Sequence, residues 1–192
     1  MTTDDAADLK TALLSVIENK GLTRLPEPVK LASGAMSSEF IDGKVALAEW
    51  SDLELACRVM VAEVTAAGIE FDASGGLTMG ADALAVGVAA VAGCRWFFVR
   101  KEPKGRGTNR LVEGARLGPG DRTLLVEDVI TTGGSIIRAH DAIVATGATV
   151  VAASTVVDRG DEAAERFAAV GVPYFPLIGY ADLGIAPIVG VT

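Results

Sequence analysis

Thr123-Leu124-Leu125-Val126-Glu127-Asp128-Val129-Ile130-Thr131-Thr132-Gly133-Gly134-Ser135 is the stretch on which the reading of this chain turns. The apolar run predicts a buried strand from Thr123 to Glu127 that closes on two carboxylates. A glycine-rich turn then leads into a helix from Ser135 to Thr146. Paired acids at a strand's carboxyl end can accept hydrogen bonds from sugar hydroxyls. Thr131, Thr132, Gly133, Gly134 and Ser135 offer backbone N–H groups and hydroxyls at a helix N-terminus, where a phosphate is favoured. The pattern predicts a site for a ribose and its 5′-phosphate, since an ordinary strand–turn–helix junction needs neither the acid pair nor so many small positions.

Working outward, strands and helices alternate. Helical spacing of Leu9, Leu13, Val16 and Ile17 predicts an amphipathic helix over 8–20, with Gly21 as its cap. Prolines and serines over 26–42 predict an extended arm ending in Glu39-Phe40-Ile41-Asp42. Ser51-x-x-Glu54 reads as a capping box for a helix to about Ala67, stopped by Gly68. Strands are expected at 69–74, 96–99, 149–157 and 174–178, a loop at 75–80, and helices at 81–92 and 161–170. Lys101 to Gly120 has five glycines, two prolines and no periodicity, and is expected to be a mobile loop. Strands without alternation, separated by helices, imply an α/β fold with a mostly parallel sheet covered on both faces. Ligands then bind outside the strands' carboxyl ends, where the loops after 74, 99, 127 and 157 converge.

Composition bounds the function. At 192 residues, half of them hydrophobic, the chain suits one domain with its own core. Cys57 and Cys94 have no metal-type spacing and are expected to be buried free thiols in a reducing cytoplasm. The acidic start Met1-Thr2-Thr3-Asp4-Asp5 lacks a signal core and no stretch approaches membrane-span length, so a soluble cytoplasmic protein is expected. The net charge of −8 argues against nucleic acid as a partner. From Arg95 to Arg122, however, eight basic residues face three acids, a local +5 that suits a small polyanionic ligand. The single histidine, His140, is expected on a helix surface and cannot form a nucleophilic triad or a zinc site alone.

Two other phosphate-binding readings fail. There is no G-x-x-x-x-G-K-[ST] string, and Gly105-Arg106-Gly107-Thr108-Asn109 is followed by Arg110 where a dinucleotide fingerprint needs glycine. Glu127 to Ser135 instead resembles the phosphoribosyl-diphosphate (PRPP) motif of the type I phosphoribosyltransferases. Arg100-Lys101-Glu102-Pro103-Lys104-Gly105-Arg106-Gly107, followed by Leu111-Val112-Glu113-Gly114, resembles the R-K-x-x-K-x-H-G catalytic loop and I-E-G element of orotate phosphoribosyltransferases. Thr155-Val156-Val157-Asp158-Arg159 is similar to the strand whose terminal arginine binds the orotate ring there. Lys30 to Gly34 and Glu39 to Asp42 resemble its N-terminal base-recognition arm.

The resemblance implies one phosphoribosyltransferase domain over 1–192. It would comprise a small N-terminal hood (1–48), a core (49–180) and a flexible catalytic loop (101–120). It implies transfer of phosphoribosyl from PRPP to a nitrogen of orotate, giving orotidine 5′-monophosphate and diphosphate for pyrimidine (UMP) biosynthesis. Lys101, Lys104, Arg106 and Asp128 would be catalytic. Arg100, Lys101, Lys104, Arg106, Glu127, Asp128 and Val129, with Ile130, Thr131, Thr132, Gly133, Gly134 and Ser135, would bind PRPP. Thr131, Arg159, Phe40 and Ile41 would receive orotate. Mg²⁺ would arrive on PRPP without protein ligands, and a homodimer would share active sites across its interface, with no nucleic-acid or membrane partner. The chain departs from the pattern at Arg106, where histidine is usual, and at Ala32 and Met79, where many members have lysine. These departures keep open a PRPP-binding regulator, or a paralogue that uses another base or has no turnover.

Overall fold

The computed structural model describes residues 3–30, 36–103, 110–160 and 162–188. Helix α1 (Thr3–Val16) runs into a π turn (Ile17–Gly21), then a hairpin of β1 (Leu22–Lys30) and β2 (Met36–Ile41). The short α2 (Gly43–Ala46) and long α3 (Trp50–Ala66) follow. The remaining elements are β3 (Ala73–Leu77), α4 (Asp82–Ala92), β4 (Arg95–Val99), β5 (Val112–Gly114), β6 (Arg122–Ile130), α5 (Gly134–Val144), β7 (Thr149–Asp158), α6 (Glu162–Ala169), β8 (Tyr174–Gly179) and a 3₁₀ turn (Tyr180–Leu183). The main sheet has the order β5-β4-β3-β6-β7-β8, parallel throughout except for the antiparallel edge strand β5.

Alternation across the sheet divides the core. Leu124 and Val126 of β6 pack toward α1, α3 and α4, while Leu125 packs toward α5 and α6 with Phe97, Val99, Ile136, Ile143 and Phe167. Both faces of the central strands are therefore dry, which is why β6 and β7 read as continuous apolar runs. Among the described residues, no helix is long and apolar enough to cross a membrane.

Several expectations need correction. Ser51 does not cap α3: the helix begins at Trp50, Glu49 makes no side-chain cap, and the Asp52 and Leu53 N–H groups donate to the Glu49 carbonyl. Lys20 also docks on Asp52 there. Gly21 keeps no left-handed backbone; it is glycine because a Cβ would stand 2.9 Å from Ala46 Cβ. The arm over 26–42 is a hairpin, and its end leads into α2, where Asp42 accepts from the Lys44 and Val45 N–H groups. The stretch 101–120 is not all loop, because Val112–Gly114 extends the sheet beside β4. Cys57 is buried, but Cys94 is only half-buried, and both thiols are free. His140 is mostly covered on α5, its Nδ1 3.0 Å from Asp141 Oδ1.

The largest error concerns β3, which runs from Ala73 to Leu77 rather than 69–74. Gly75 and Gly76 belong to the strand because the sheet closes on them. A Cβ on Gly75 would lie 2.3 Å from the Phe97 carbonyl oxygen, and one on Gly76 2.1 Å from that of Val126. Neither has a positive φ, so the constraint is space, not turn geometry. Gly76→Ala is expected to destabilise the fold by about 3 kcal/mol or more, as overpacked cores do. Gly118→Ala, where a Cβ meets nothing within 4 Å, is expected to stay within about 0.5 kcal/mol of wild type. Chemical denaturation of the two variants checks the contrast.

Candidate active site

At the carboxyl edge of the sheet, the loop after β3, the end of β6 and the turn into α5 enclose a cavity of about 490 Å³. It is lined by Lys44, Leu77 to Gly80, Lys101 and the whole of Glu127 to Ile136. The acid pair does not end its strand as expected. Val129 and Ile130 still pair with Val157 and Asp158, so the ladder carries the carboxylates inside the sheet rather than at its rim. Glu127 and Asp128 are only 7% and 8% exposed. The Asp128 N–H donates to Glu127 Oε1 (3.2 Å) and the Val129 N–H to Asp128 Oδ1 (2.8 Å). From β7, the Thr155 hydroxyl sits 3.2 and 3.4 Å from the Glu127 and Asp128 carbonyl oxygens.

Burial, and then the charge of Asp128, push the Glu127 carboxyl well above the ordinary range. Among the described residues, one lysine ion-pairs with the acid pair. Lys44 Nζ lies 3.5 Å from Asp128 Oδ2 and 3.5 Å from Asp42 Oδ1. Partial desolvation works to lower the lysine's pKa, but the two carboxylates outweigh it and the net shift is upward. Space around the acids is taken by glycines. A Cβ on Gly80 would fall 2.3 Å from Glu127 Oε1 and 2.4 Å from Asp128 Oδ1, and one on Gly43 2.9 Å from Asp128 Cβ.

Beyond the acids, Thr131, Thr132 and Ser135 line the cavity, and Gly133 opens α5 with φ +73°. The α5 N-terminus thus points unpaired N–H groups at the same space. A second subsite adjoins it. Arg159 follows β7, its N–H donating to the Ile130 carbonyl at 2.9 Å. Its guanidinium is buried, donates from Nη2 to the Ile41 carbonyl (3.0 Å), and lies 5.6 Å from the Phe40 ring centroid and 6.0 Å from that of Tyr180. Burial lowers its pKa against the opposing pull of Tyr180 and Asp128, but leaves a guanidinium charged. The hairpin, the end of β7 and the phosphate turn are brought together as the sequence implied.

A profile of the phosphoribosyl transferase domain matches residues 46–172. An orotate phosphoribosyltransferase of Pyrococcus abyssi is 36% identical over 175 residues, covering 91% of this chain and 95% of its own. One from Streptomyces coelicolor is 38% identical over 184 residues, covering 93% and 98%. The crystal structure of Mycobacterium tuberculosis H37Rv orotate phosphoribosyltransferase in complex with PRPP has a TM-score of 0.76 at 33% identity, over 92% of this chain and 99% of that one. The chain belongs to the orotate phosphoribosyltransferase family.

Judged as an orotate phosphoribosyltransferase, the chain brings Lys101, Glu127, Asp128 and Thr131 to Ser135 to one cavity, and packs Arg159 against Phe40 and Ile41. Ile130 is buried in the core, leaving only its backbone for a ligand. Arg100 does not reach the phosphate cavity. Its Nε donates to the Glu102 carbonyl (3.3 Å), and it lines a separate cleft of about 350 Å³ with Leu111, Arg138 and Asp141. Lys104, Arg106 and Ala32 lie outside the described residues. Met79 does stand at the cavity mouth, 74% exposed, where a cation was expected to be missing.

Sequence reasoning missed Lys44, Gly43 and Gly80. The only available signal was Asp42-Gly43-Lys44, a helix start directly after the base-recognition arm. The raised pKa of Glu127 carries a prediction about the ligand-free enzyme. Its native carboxyl binds a proton more tightly than the unfolded chain does, so its contribution is intact below the ordinary carboxylate range and is lost as pH rises through the elevated native value. Glu127→Gln is therefore expected to raise the melting midpoint at alkaline pH, with little change in acid, while weakening PRPP binding. Thermal melts across pH test it, and an equal shift at every pH would refute the assignment.

Proposed function

We propose that this enzyme transfers the phosphoribosyl group of PRPP to orotate, giving orotidine 5′-monophosphate and diphosphate. The observation that carries this reading is the adjacency of two subsites. A buried acid pair beside an α5 N-terminus suits a ribose 5-phosphate, and a buried guanidinium between Phe40 and Ile41 suits a flat base bearing a carboxylate. A purine offers Arg159 no such group, which favours orotate over other bases.

In the reaction, the C1–O bond to diphosphate breaks as the base nitrogen bonds to C1. The sugar becomes oxocarbenium-like and the leaving group gains negative charge, so cations aimed at the diphosphate stabilise the transition state more than the ground state. We assign that role to Lys101, with Lys104 and Arg106 from the same stretch. Asp128 and Glu127 hold the ribose hydroxyls. The Thr131–Ser135 turn receives the 5′-phosphate, and Thr131, whose carbonyl oxygen would be 3.7 Å from a Cβ on Gly160, borders the base side. Arg106 offers charge and hydrogen bonds but no transferable proton near neutral pH.

We assign Mg²⁺ to PRPP oxygens and waters rather than to a protein cage, as suits an ion that dehydrates reluctantly. When bound, it would neutralise charge on the diphosphate. The family resemblance supports a cytoplasmic homodimer with shared sites.

The test is orotate consumption with PRPP and Mg²⁺, run beside uracil, hypoxanthine and adenine. Orotate alone is expected to turn over, and Asp128→Asn to abolish it. Arg159→Ala is expected to raise the KM for orotate about 30-fold or more, the scale for cutting one partner of a buried charge pair, with PRPP binding unchanged. Tight PRPP binding without turnover of any base would instead favour a PRPP-binding regulator.

A further inference from the structure

The Arg159 subsite contains two polar atoms that the protein does not satisfy. Arg159 Nε and the Tyr180 hydroxyl are both buried and have no hydrogen-bond partner among the described residues. Tyr180 is 2% exposed, and it opens the 3₁₀ turn that follows β8. Its backbone is pinned, since the Ile185 N–H donates to its carbonyl (2.9 Å) and Asp182 Oδ2 accepts from the Gly179 N–H (2.8 Å). A buried hydroxyl without an acceptor costs about 1–3 kcal/mol, which a phenylalanine filling the same space would avoid. Glu39, the carboxylate that acts on it electrostatically, makes no hydrogen bond to it, so the hydroxyl is open to an acceptor supplied by a ligand. The arginine's unsatisfied Nε in the same subsite is open in the same way, and Nη2 is already committed to Ile41.

We propose that Tyr180 is a specificity-determining residue of the base subsite. Its ring, with that of Phe40, holds the Arg159 guanidinium, and its hydroxyl donates to the carboxylate that Arg159 also grips. The two rings, at 5.6 and 6.0 Å, lie within the range at which a cation is attracted to an aromatic face. A carboxylate supplies two acceptor oxygens for two unsatisfied donors, which a base without an anionic substituent does not. Ordering of the donors before binding would reduce the entropy lost on capture. This inference rests on the orotate reading above.

The test is steady-state kinetics of Tyr180→Phe and Tyr180→Leu beside wild type, with KM measured separately for orotate and PRPP. Tyr180→Phe is expected to raise the KM for orotate about tenfold, the worth of a hydrogen bond to a charged group. The KM for PRPP should not change, and thermal stability should be equal or higher. Tyr180→Leu, which also removes the ring from Arg159, is expected to lose more. A second readout needs no variant at position 180. The chain has two tyrosines, so 3-fluorotyrosine labelling gives two ¹⁹F resonances, assigned with Tyr174→Phe. Orotate is expected to move the Tyr180 resonance and PRPP alone to leave it in place. Unchanged KM for orotate in Tyr180→Phe, equal rises for both substrates, or a Tyr180 resonance indifferent to saturating orotate would each overturn the proposal while the orotate reading stands. Absence of orotate binding and turnover in wild type would overturn both.

Discussion

The burial of two adjacent carboxylates inside the central strand is the constraint to which the rest of the site conforms. A charged acid at this depth is costly unless it is paired and hydrogen-bonded, and two side by side repel. The chain answers with backbone donors from Asp128 and Val129, with the Thr155 hydroxyl fixing the carbonyls behind them, and with Lys44 at 3.5 Å. It does not answer fully, because Glu127 is left with its proton affinity raised. An incompletely compensated acid facing a cavity leaves acceptor capacity there for hydroxyl donors, and functional sites commonly trade stability for such capacity.

Close approach of backbone to those acids dictates residues far away in sequence. Gly43 and Gly80 are excluded from having a side chain by Asp128 and Glu127, and Gly43 in turn starts the helix that carries Lys44. The hood is tied to the core in the same way. Arg159 donates to the Ile41 carbonyl and Lys44 pairs with Asp128, so the cluster around Arg159 forms only when hairpin and sheet are docked.

What the sequence disclosed and what it hid follow from this division. Glu127 to Ser135 was legible because strand, acids, turn and helix start are contiguous and each has a local reason. Arg159 and Phe40 were named by resemblance to family motifs, and the fold brings them into contact. Gly75 and Gly76 misled because glycine signals a turn locally, whereas here the Phe97 and Val126 carbonyls impose it from neighbouring strands. Ser51-x-x-Glu54 misled for the converse reason: a cap signal was present, but packing of the helix and the Lys20 contact at Asp52 set its start elsewhere. Tyr180 carried no local signal, and Lys44 only its place in the helix start after Asp42. Their roles come from side chains more than 20 residues distant, and sequence spacing contains no record of those encounters.

The missing lysines also acquire a physical reading. Met79 removes a positive charge from the loop that faces the acids, and Lys44 approaches the same acids from the opposite element. A lysine at 79 would add a cation to a cavity whose acid pair already holds one. With Met79 there instead, Lys44 Nζ lies 3.5 Å from Asp128 Oδ2, and the cavity's remaining described cation, Lys101, stays free of the acids. Among the described residues, the cavity's two cations thus stand apart, Lys44 paired with the acids and Lys101 elsewhere on the lining.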